Sequence, residues 1–253
     1  MNKGIIVGAN LDIEWLLPWW WYNYQAHNSL PVTFFDFGMS EKGRNWCKAK
    51  GQVIECITSL TLEKTKVEPS LAKKWETIIG SGVWDVRTHW FKKTFAFAKT
   101  PYDKTIWIDL DCEVRSNVDA IFSYLTDDIE LALAPEPELI QKGFRSLGFI
   151  LPTEITYNSG VVAYHKNKPF LKSWENEVIY KSHLHIGDQD ALSRVLFENK
   201  TRLKELPSTW NWDRGLGVNP DAAIFHWQGQ KGKQLIQKQI QAIRELGLED
   251  FLL

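Results

Sequence analysis

The chain carries the stretch Thr105-Ile106-Trp107-Ile108-Asp109-Leu110-Asp111, which decides how the rest of the sequence is interpreted. The apolar run at its start is typical of a buried strand. That strand ends on two carboxylates one residue apart, and unpaired buried charge is too costly for packing to explain them. Since alternation puts Asp109 and Asp111 on the same side of an extended strand, we expect them to share a hard divalent cation that in turn holds a diphosphate.

The segments before this stretch alternate between strand and helix patterns. Apolar runs at 4–9 and 31–37 predict buried strands, and we expect a helix over 10–29 between them, capped by Asn10 or Asp12. A short helix from Ser40 and a strand near 52–57 follow, and 84–99 is helical and aromatic. This rhythm predicts an α/β protein with a mostly parallel mixed sheet flanked by helices.

The segments after the stretch continue the pattern with shorter strands. We expect helices over 118–125, 169–181, 188–198 and 232–246, and strands over 131–134, 161–164 and 222–225. Neither a repeat nor a low-complexity linker interrupts the sequence, so a single domain over 1–253 is expected.

Composition and charge exclude several classes of partner. Hydrophobic residues make up 44% and charged residues 24% of the chain, and the formal net charge is −1, so no nucleic-acid partner is expected. The sequence shows no signal-peptide pattern and no apolar stretch long enough to span a bilayer. Because Cys47, Cys56 and Cys112 form no disulfide framework, a reducing compartment and cytoplasmic residence are predicted.

Tryptophan is unusually frequent, with 13 residues in the chain. Trp15, Trp19, Trp20 and Trp21 crowd one segment. Core packing is the simpler interpretation, and an aromatic surface against sugar rings or a membrane interface is the alternative.

Two later motifs offer side chains suited to a sugar. Asn158 and Ser159 provide groups that bind hydroxyls, and Gly160 allows close backbone approach, although an ordinary turn explains them equally well. Asp188 and Gln189 begin a predicted helix. Asp188 is either a helix cap or a carboxylate that reaches a sugar.

A third motif follows the last predicted strand. His226 could join the two aspartates at an ion such as manganese, although a lone histidine is usually structural. Lys231 and Lys233 lie in a glycine-flanked loop and are interpreted either as phosphate ligands or as solvated surface lysines.

The segment from Lys93 through Pro101-Tyr102-Asp103 to Asp111 resembles the donor site of GT-A-fold glycosyltransferases, and glycosyltransferase family 8 is the best match. Asn158-Ser159-Gly160, Gly187-Asp188-Gln189-Asp190 and His226-Trp227-Gln228-Gly229 then occur in the order that this family uses. The resemblance runs from the first strand to about Lys233. Each motif is short, and the ordered set is what makes the resemblance specific.

The resemblance implies a GT-A-like fold with a Rossmann-like nucleotide-binding part at about 1–115 and an acceptor and sugar part at about 116–253. It implies transfer from a nucleotide-sugar donor, a uridine diphosphate hexose, with Mn²⁺ (or Mg²⁺) and retention at the anomeric carbon. The acceptor, whether glycan, lipid or protein, is left open.

Residue roles follow from the resemblance by position. Asp109, Asp111 and His226 are implied as metal ligands, and Asp188 and Gln189 as the catalytic pair near the reacting carbon. The implied donor-binding residues are Gly8, Ala9, Asn10, Lys93, Leu110, Asn158, Ser159, Asp188, Gly229, Lys231 and Lys233. The chain departs from the family six positions after the histidine, where Gly232 stands in place of a lysine.

Two other classes of protein stay open at this point. Haloacid-dehalogenase-type phosphatases also use an Asp-x-Asp at a strand end, but theirs lies in the first strand and is followed two residues on by Thr or Val, where this chain has Glu113. A non-catalytic binder of nucleotide sugars would keep the fold without turnover.

Overall fold

The structure is a computed structural model that describes residues 2–58 and 60–245. Its strands are β1 (Lys3–Ala9), β2 (Val32–Asp36), β3 (Gln52–Glu55), β4 (Lys104–Ile108), β5 (Cys112–Val114), β6 (Leu131–Pro135), β7 (Tyr157–His165), β8 (Leu203–Glu205), β9 (Trp212–Asp213) and β10 (Ile224–His226). Its α-helices are α1 (Leu17–Gln25), α2 (Glu41–Lys48), α3 (Pro69–Ile79), α4 (Val83–Ala98), α5 (Glu138–Leu147), α6 (Pro169–Lys181), α7 (Asp188–Glu198) and α8 (Gly229–Glu245).

Within residues 2–58 and 60–245, seven strands form one sheet in the order β3-β2-β1-β4-β7-β6-β8. The neighbours from β3 to β4 run parallel. β7 runs antiparallel to both β4 and β6, and β8 is parallel to β6. The predicted mostly parallel mixed sheet is confirmed. Since β2 and β4 leave β1 on opposite sides, a topological switch point lies between β1 and β4, where open α/β sheets bind ligands.

Both faces of the sheet are covered by helices, which explains the continuous apolar runs of β1 and β4. On one face, Ile106 and Ile108 pack with side chains from α1, α2 and α8. On the other face, Trp107 packs with side chains from α4, α6 and α7. Residues on alternate sides of each central strand therefore belong to two different cores.

A second, smaller sheet has the order β5-β10-β9. β10 runs antiparallel to β5, and their register places His226 directly opposite Cys112. The amide of Trp227 continues this pairing by donating to the carbonyl of Asp111 at 2.9 Å. This small sheet is what carries the late histidine back to the end of the Asp-x-Asp stretch.

The prediction of one helix over 10–29 is wrong in its bounds. A 3₁₀ turn at Glu14–Leu16 comes first, and α1 spans only Leu17–Gln25, with Pro18 in its first turn. Proline is tolerated there because the first helical amides have no intrahelical partner. Asn10 caps no helix, since its side chain contacts Asp12 and His89 instead.

Three further differences concern the second half of the chain. Asn158, Ser159 and Gly160 lie inside β7 and are fully buried strand residues, so the interpretation as an ordinary turn is wrong. The segment 118–125 forms a 3₁₀ helix at Val118–Tyr124, and α5 was not predicted at all. In contrast, α6 and α7 have the predicted bounds. The predicted last helix is present as α8 but begins three residues earlier, at Gly229, so Lys231 and Lys233 lie in the helix and not in a loop as predicted. Its predicted final residue, 246, lies outside the described residues.

The tryptophan-rich segment serves the core. Trp19 and Trp20 are 2% and 0% exposed. The ring of Trp20 stacks on Tyr24 with centroids 4.9 Å apart, and Trp19 donates its indole N–H to Gln239. Among the described residues, no helix is long and apolar enough to cross a membrane.

Candidate active site

One edge of the large sheet gathers most of the polar residues that the sequence singled out. β1, β4 and β6 end at this edge, and β7 begins there. The amide of Asp109 donates to the carbonyl of Gly160 at 2.8 Å, which joins the end of β4 to the start of β7. The first turn of α7 lies against the same part of β7, because Ser159 donates its hydroxyl to Asp188 at 2.8 Å.

A buried lysine organises the first group of side chains, which we call the Lys93 cluster (Lys93, Asp109, Ser159 and Asp188). Lys93 Nζ lies 3.2 Å from Asp109 Oδ1 and 3.1 Å from Asp188 Oδ2. It also donates to Ser159 Oγ at 3.0 Å. Trp107 completes the shell by donating its indole N–H to Asp109 at 2.6 Å. The ammonium therefore bridges the carboxylates at the end of β4 and the start of α7.

Contact between the ammonium and the two carboxylates stabilises the charges of the Lys93 cluster. Burial alone would lower the pKa of Lys93, but the carboxylates of Asp109 and Asp188 outweigh burial and hold its pKa above the ordinary value. Burial raises the pKa of Asp188, and Lys93 opposes that rise. The neighbouring Asp190 is buried, and its burial, together with the nearby charge of Asp188, raises its pKa to about 7.

A second group lies at the other end of the Asp-x-Asp stretch, and we call it the Asp111 cluster (Asp111, Cys112, His226 and Lys233). His226 Nε2 lies 3.3 Å from Asp111 Oδ1, and Lys233 Nζ lies 2.6 Å from Asp111 Oδ2. Asn211 Oδ1 lies 3.0 Å from the other ring nitrogen of His226. A side chain at Gly160 would overlap the His226 ring, so the glycine of the Asn-Ser-Gly motif makes room for the imidazole.

Asp111 is strongly held in its charged form. Burial would raise its pKa, but Lys233 and His226 hold the pKa of Asp111 well below the ordinary value. Conversely, burial would lower the pKa of Lys233, while the charge of Asp111 raises it. Burial also opposes protonation of His226, yet the Cys112 and Asp111 side chains raise its pKa well above the usual range.

The donor set of the Asp111 cluster suits a divalent cation. One ligand atom from each of Asp111, Cys112 and His226 lies within 4.8 Å of the other two, and all three residues are buried. Carboxylate oxygen and imidazole nitrogen are suitable ligands for manganese. The ammonium of Lys233 already lies against the Asp111 carboxylate, which shows that this position accommodates positive charge. These residues therefore fit the ion that the sequence resemblance implies.

The argument that Asp109 and Asp111 alternate along one strand does not hold, because β4 ends at Ile108 and the chain turns there. Each carboxylate has its own partners instead. Asp109 bonds with Lys93 and Trp107, whereas Asp111 bonds with Lys233 and His226.

Glu136 joins the site although the sequence reasoning missed it. It follows β6, and its Oε1 accepts from Asn158 Nδ2 and from Gln189 Nε2, both at 2.8 Å. It is 5% exposed, and burial raises its pKa. The signal was present, since Glu136 follows an apolar strand much as Asp109 does. Glu136 thus connects β6, β7 and α7 behind the Lys93 cluster.

The end of β1 offers an unused hydrogen-bond acceptor. Asn10 donates its side-chain amide to Asp12 at 3.0 Å, and its buried Oδ1 has no partner. A side chain at Gly8 would overlap the ring of Phe37, so this glycine serves packing. Ala9 is buried between them.

Of the remaining implied donor-binding residues, one lies in the core and the others lie in α8. Leu110 is a core residue, 4% exposed. Lys231 is exposed on the first turn of α8, and Gly229 begins that helix with φ 79°. Any side chain at Gly232 would collide with the backbone of Trp227, which explains why this chain has no lysine there. Lys233, one position later, is the lysine that reaches Asp111.

Comparison of the sequence with family models and with curated proteins gives no match. Solved structures do match. The galactosyltransferase LgtC in complex with donor and acceptor sugar analogs aligns with a TM-score of 0.60 at 15% identity, over 93% of this chain and 94% of that one. Mouse xyloside xylosyltransferase 1 aligns with a TM-score of 0.53 at 18% identity, over 89% and 97%. The glycosyltransferase GlyE of Streptococcus pneumoniae TIGR4 aligns with a TM-score of 0.57 at 16% identity, over 91% and 55%.

These likenesses define the class of fold. The chain has the fold of GT-A-type glycosyltransferases, resembling that of glycosyltransferase family 8, with a seven-stranded mixed sheet flanked by helices. At identities of 15–18% the likeness concerns the fold, and activity has to be argued from the site.

Proposed function

We propose that the protein is a metal-dependent glycosyltransferase. In this proposal it moves a hexose from a uridine diphosphate donor to a glycan, lipid or protein acceptor, with retention at the anomeric carbon. The observation that carries the proposal is the pair of charged clusters, Lys93 and Asp111, at the switch point of a GT-A-type fold. An ion site next to a buried lysine and carboxylates suits cleavage of a sugar–diphosphate bond.

The diphosphate is assigned to the Asp111 cluster. Asp111 and His226 would hold Mn²⁺ (or Mg²⁺), with Asp109 as a further ligand implied by the resemblance. A divalent ion bound there supplies Lewis-acid stabilisation of the leaving diphosphate, worth several kcal/mol. Lys233 lies against the same carboxylate, so its ammonium is placed to meet phosphate oxygens, with the exposed Lys231 two residues away.

The nucleotide base is assigned to the end of β1. The buried, unpartnered Oδ1 of Asn10 suits the N–H of a uracil or guanine ring. Gly8 and Ala9 form the backbone beside it. Residues at about 1–115 are therefore proposed as the nucleotide-binding part, and about 116–253 as the sugar and acceptor part. Cytoplasmic residence stays a prediction that cell fractionation tests.

The sugar is assigned to the Lys93 cluster and its neighbours. Asp188 presents a buried carboxylate that can stabilise positive charge on the sugar as its bond to phosphate breaks. Gln189 is held by Ser159 and Glu136 at the next position of α7. Asn158 bonds with Glu136, which follows the adjacent strand β6. These three polar groups are proposed to orient the sugar hydroxyls.

The fold favours this proposal over the phosphatase class. In haloacid-dehalogenase-type enzymes the Asp-x-Asp lies at the end of the first strand, whereas here it follows β4. A non-catalytic binder of nucleotide sugars is the second candidate, because the same clusters would hold a donor without turning it over.

The decisive experiment is a screen of uridine- and guanosine-diphosphate sugars for slow hydrolysis with Mn²⁺. We expect one uridine diphosphate hexose to be cleaved by the wild type and by the matched control Asp127→Asn, an exposed aspartate. Activity should be nearly abolished by Asp111→Asn and by chelation of metal. Phosphate release from monoesters alone would favour the phosphatase class. Tight Mn²⁺-dependent nucleotide binding without cleavage would favour the binder.

A further inference from the structure

The thiol of Cys112 faces the proposed ion site. β5 and β10 pair antiparallel with Cys112 directly opposite His226. Side chains of directly opposed residues lie on the same face of a sheet, with Cβ atoms roughly 4.5–5.5 Å apart. The thiol sulfur, an imidazole nitrogen and an Asp111 oxygen accordingly all lie within 4.8 Å of one another.

The side-chain partner of the thiol in this arrangement is the imidazole of His226. The sulfur also lies 3.9 Å from the carbonyl oxygen of Gly160, which is a weak contact. The residue is fully buried, so solvent does not satisfy it either. The thiol therefore has a weak contact with Gly160 on one side, and a carboxylate and an imidazole, both common metal ligands, on the other. Such an environment is typical of a cysteine that binds a metal ion.

We propose that Cys112 is a ligand of the ion, together with Asp111 and His226. This inference rests on the proposed function in taking the Asp111 cluster as the cation site, and it goes beyond the aspartates and histidine that the resemblance implies. On binding, the thiol releases its proton to water and the sulfur joins the ion as a thiolate.

A sulfur ligand changes the class of ion that the site prefers. Thiolate and imidazole favour Zn²⁺ and Co²⁺, whereas Mg²⁺ prefers oxygen. A site of one carboxylate, one imidazole and one thiolate should therefore bind Zn²⁺ and Co²⁺ more tightly than Mn²⁺, and should bind Mg²⁺ weakly.

Titration of the purified protein with Co²⁺ alone, without nucleotide, tests the ligand directly. Thiolate bound to Co²⁺ produces a sulfur-to-metal charge-transfer band in the near ultraviolet. We expect this band in the wild type and in the double variant Cys47→Ser/Cys56→Ser, which keeps Cys112 as the one thiol of the chain. The band should be absent from Cys112→Ser and from Cys112→Ala.

The preference for Zn²⁺ over Mg²⁺, measured by calorimetry, should fall by about tenfold in Cys112→Ser, the lower end of losses seen when groups around a metal are changed. Cys47→Ser serves as the matched control, because Cys47 is equally buried but contacts Met39. If neither Cys112 variant folds, the spectrum of the double variant still decides the matter.

Co²⁺ binding without a charge-transfer band in the double variant would overturn the proposal and leave Cys112 as a core residue. So would an unchanged ion preference in Cys112→Ser. The donor screen separates this failure from that of the proposed function. Mn²⁺-dependent donor cleavage without the band removes only the thiol ligand, and the band without any donor cleavage removes only the transferase.

Discussion

The Lys93 cluster and the Asp111 cluster contain aspartates that are only two residues apart, Asp109 and Asp111, yet the clusters are built differently. In the first, one ammonium sits between two carboxylates from different elements, Asp109 and Asp188. In the second, one carboxylate, Asp111, faces an imidazole and an ammonium. The first cluster therefore has more carboxylates than ammonium groups, whereas in the second the single carboxylate is matched by the ammonium of Lys233.

The difference shows that the two carboxylates of one Asp-x-Asp stretch can belong to separate clusters with different chemical roles. Because β4 ends before Asp109, the two carboxylates are directed by contacts with other elements and not by strand alternation. Negative charge near the sugar and positive charge near the diphosphate match the charges that develop when a sugar–phosphate bond breaks. The following variants test that division, from the largest expected effect to the smallest.

Asp111→Asn should lower Mn²⁺-dependent donor cleavage by about 10³-fold or more, since it removes the charged ligand from the ion site. Asp109→Asn should cost at least about tenfold less, because Lys93 and Trp107 engage its carboxylate in the structure. Steady-state kinetics on the donor found by the screen measures both, with circular dichroism to confirm folding. Equal losses in the two variants would contradict the division between clusters.

Lys93→Met should destabilise the protein by about 3 kcal/mol, because Asp188 would be left as a buried carboxylate without its counter-charge. Urea denaturation measures the change. The control is Lys92→Met, the neighbouring half-buried lysine on α4. A loss no larger than that of the control would show that Lys93 does not hold the cluster together.

Asp190→Asn tests the excess of buried negative charge beside Asp188. The pKa of Asp190 is raised to about 7 in the folded protein, so the folded state holds the proton more tightly than the unfolded chain. Wild-type stability should therefore fall as pH rises from about 4 to about 7, and this loss should be absent from the variant. We expect the stability difference between the two proteins to change by about 3 kcal/mol over that range. If the free energies of unfolding of the two proteins differed by the same amount at every pH, Asp190 would not hold a proton in the folded protein.

Lys233→Met should bind Mn²⁺ about tenfold more tightly in the absence of nucleotide, since the ion no longer has to displace an ammonium from Asp111. The same variant should bind uridine diphosphate more weakly when Mn²⁺ is present. Calorimetry measures both affinities, and Lys238→Met, at an exposed lysine further along α8, should leave them unchanged. Weaker Mn²⁺ binding by Lys233→Met would mean that the lysine does not compete with the ion.

Much of the fold could be predicted because its signals are local. The apolar runs of β1 and β4 identify buried strands, and Pro169 and Gly187 mark where α6 and α7 begin. The residues before α1 misled the prediction, since Asn10 and Asp12 are good caps by type but bond with each other. Local propensity cannot exclude such a competing contact.

The candidate site was only partly predictable. The structure brings together five residues of the ordered motifs at one sheet edge, namely Asp109, Asp111, Ser159, Asp188 and His226, and their roles stay predictions. Glu136 was missed because its role depends on bonds to Asn158 and Gln189, and the spacing of these residues in the sequence does not predict those bonds.

The amino-acid sequence by itself determined the alternation of strands and helices and the residue types available for binding an ion and a sugar nucleotide. Only the tertiary structure decided that Lys93 pairs with Asp109 and Asp188, that Lys233 reaches Asp111 across 122 positions of sequence, and that Cys112 faces His226. The physical reason is that periodicity reports which face of an element is buried, whereas the partner of a buried charge depends on how distant elements pack.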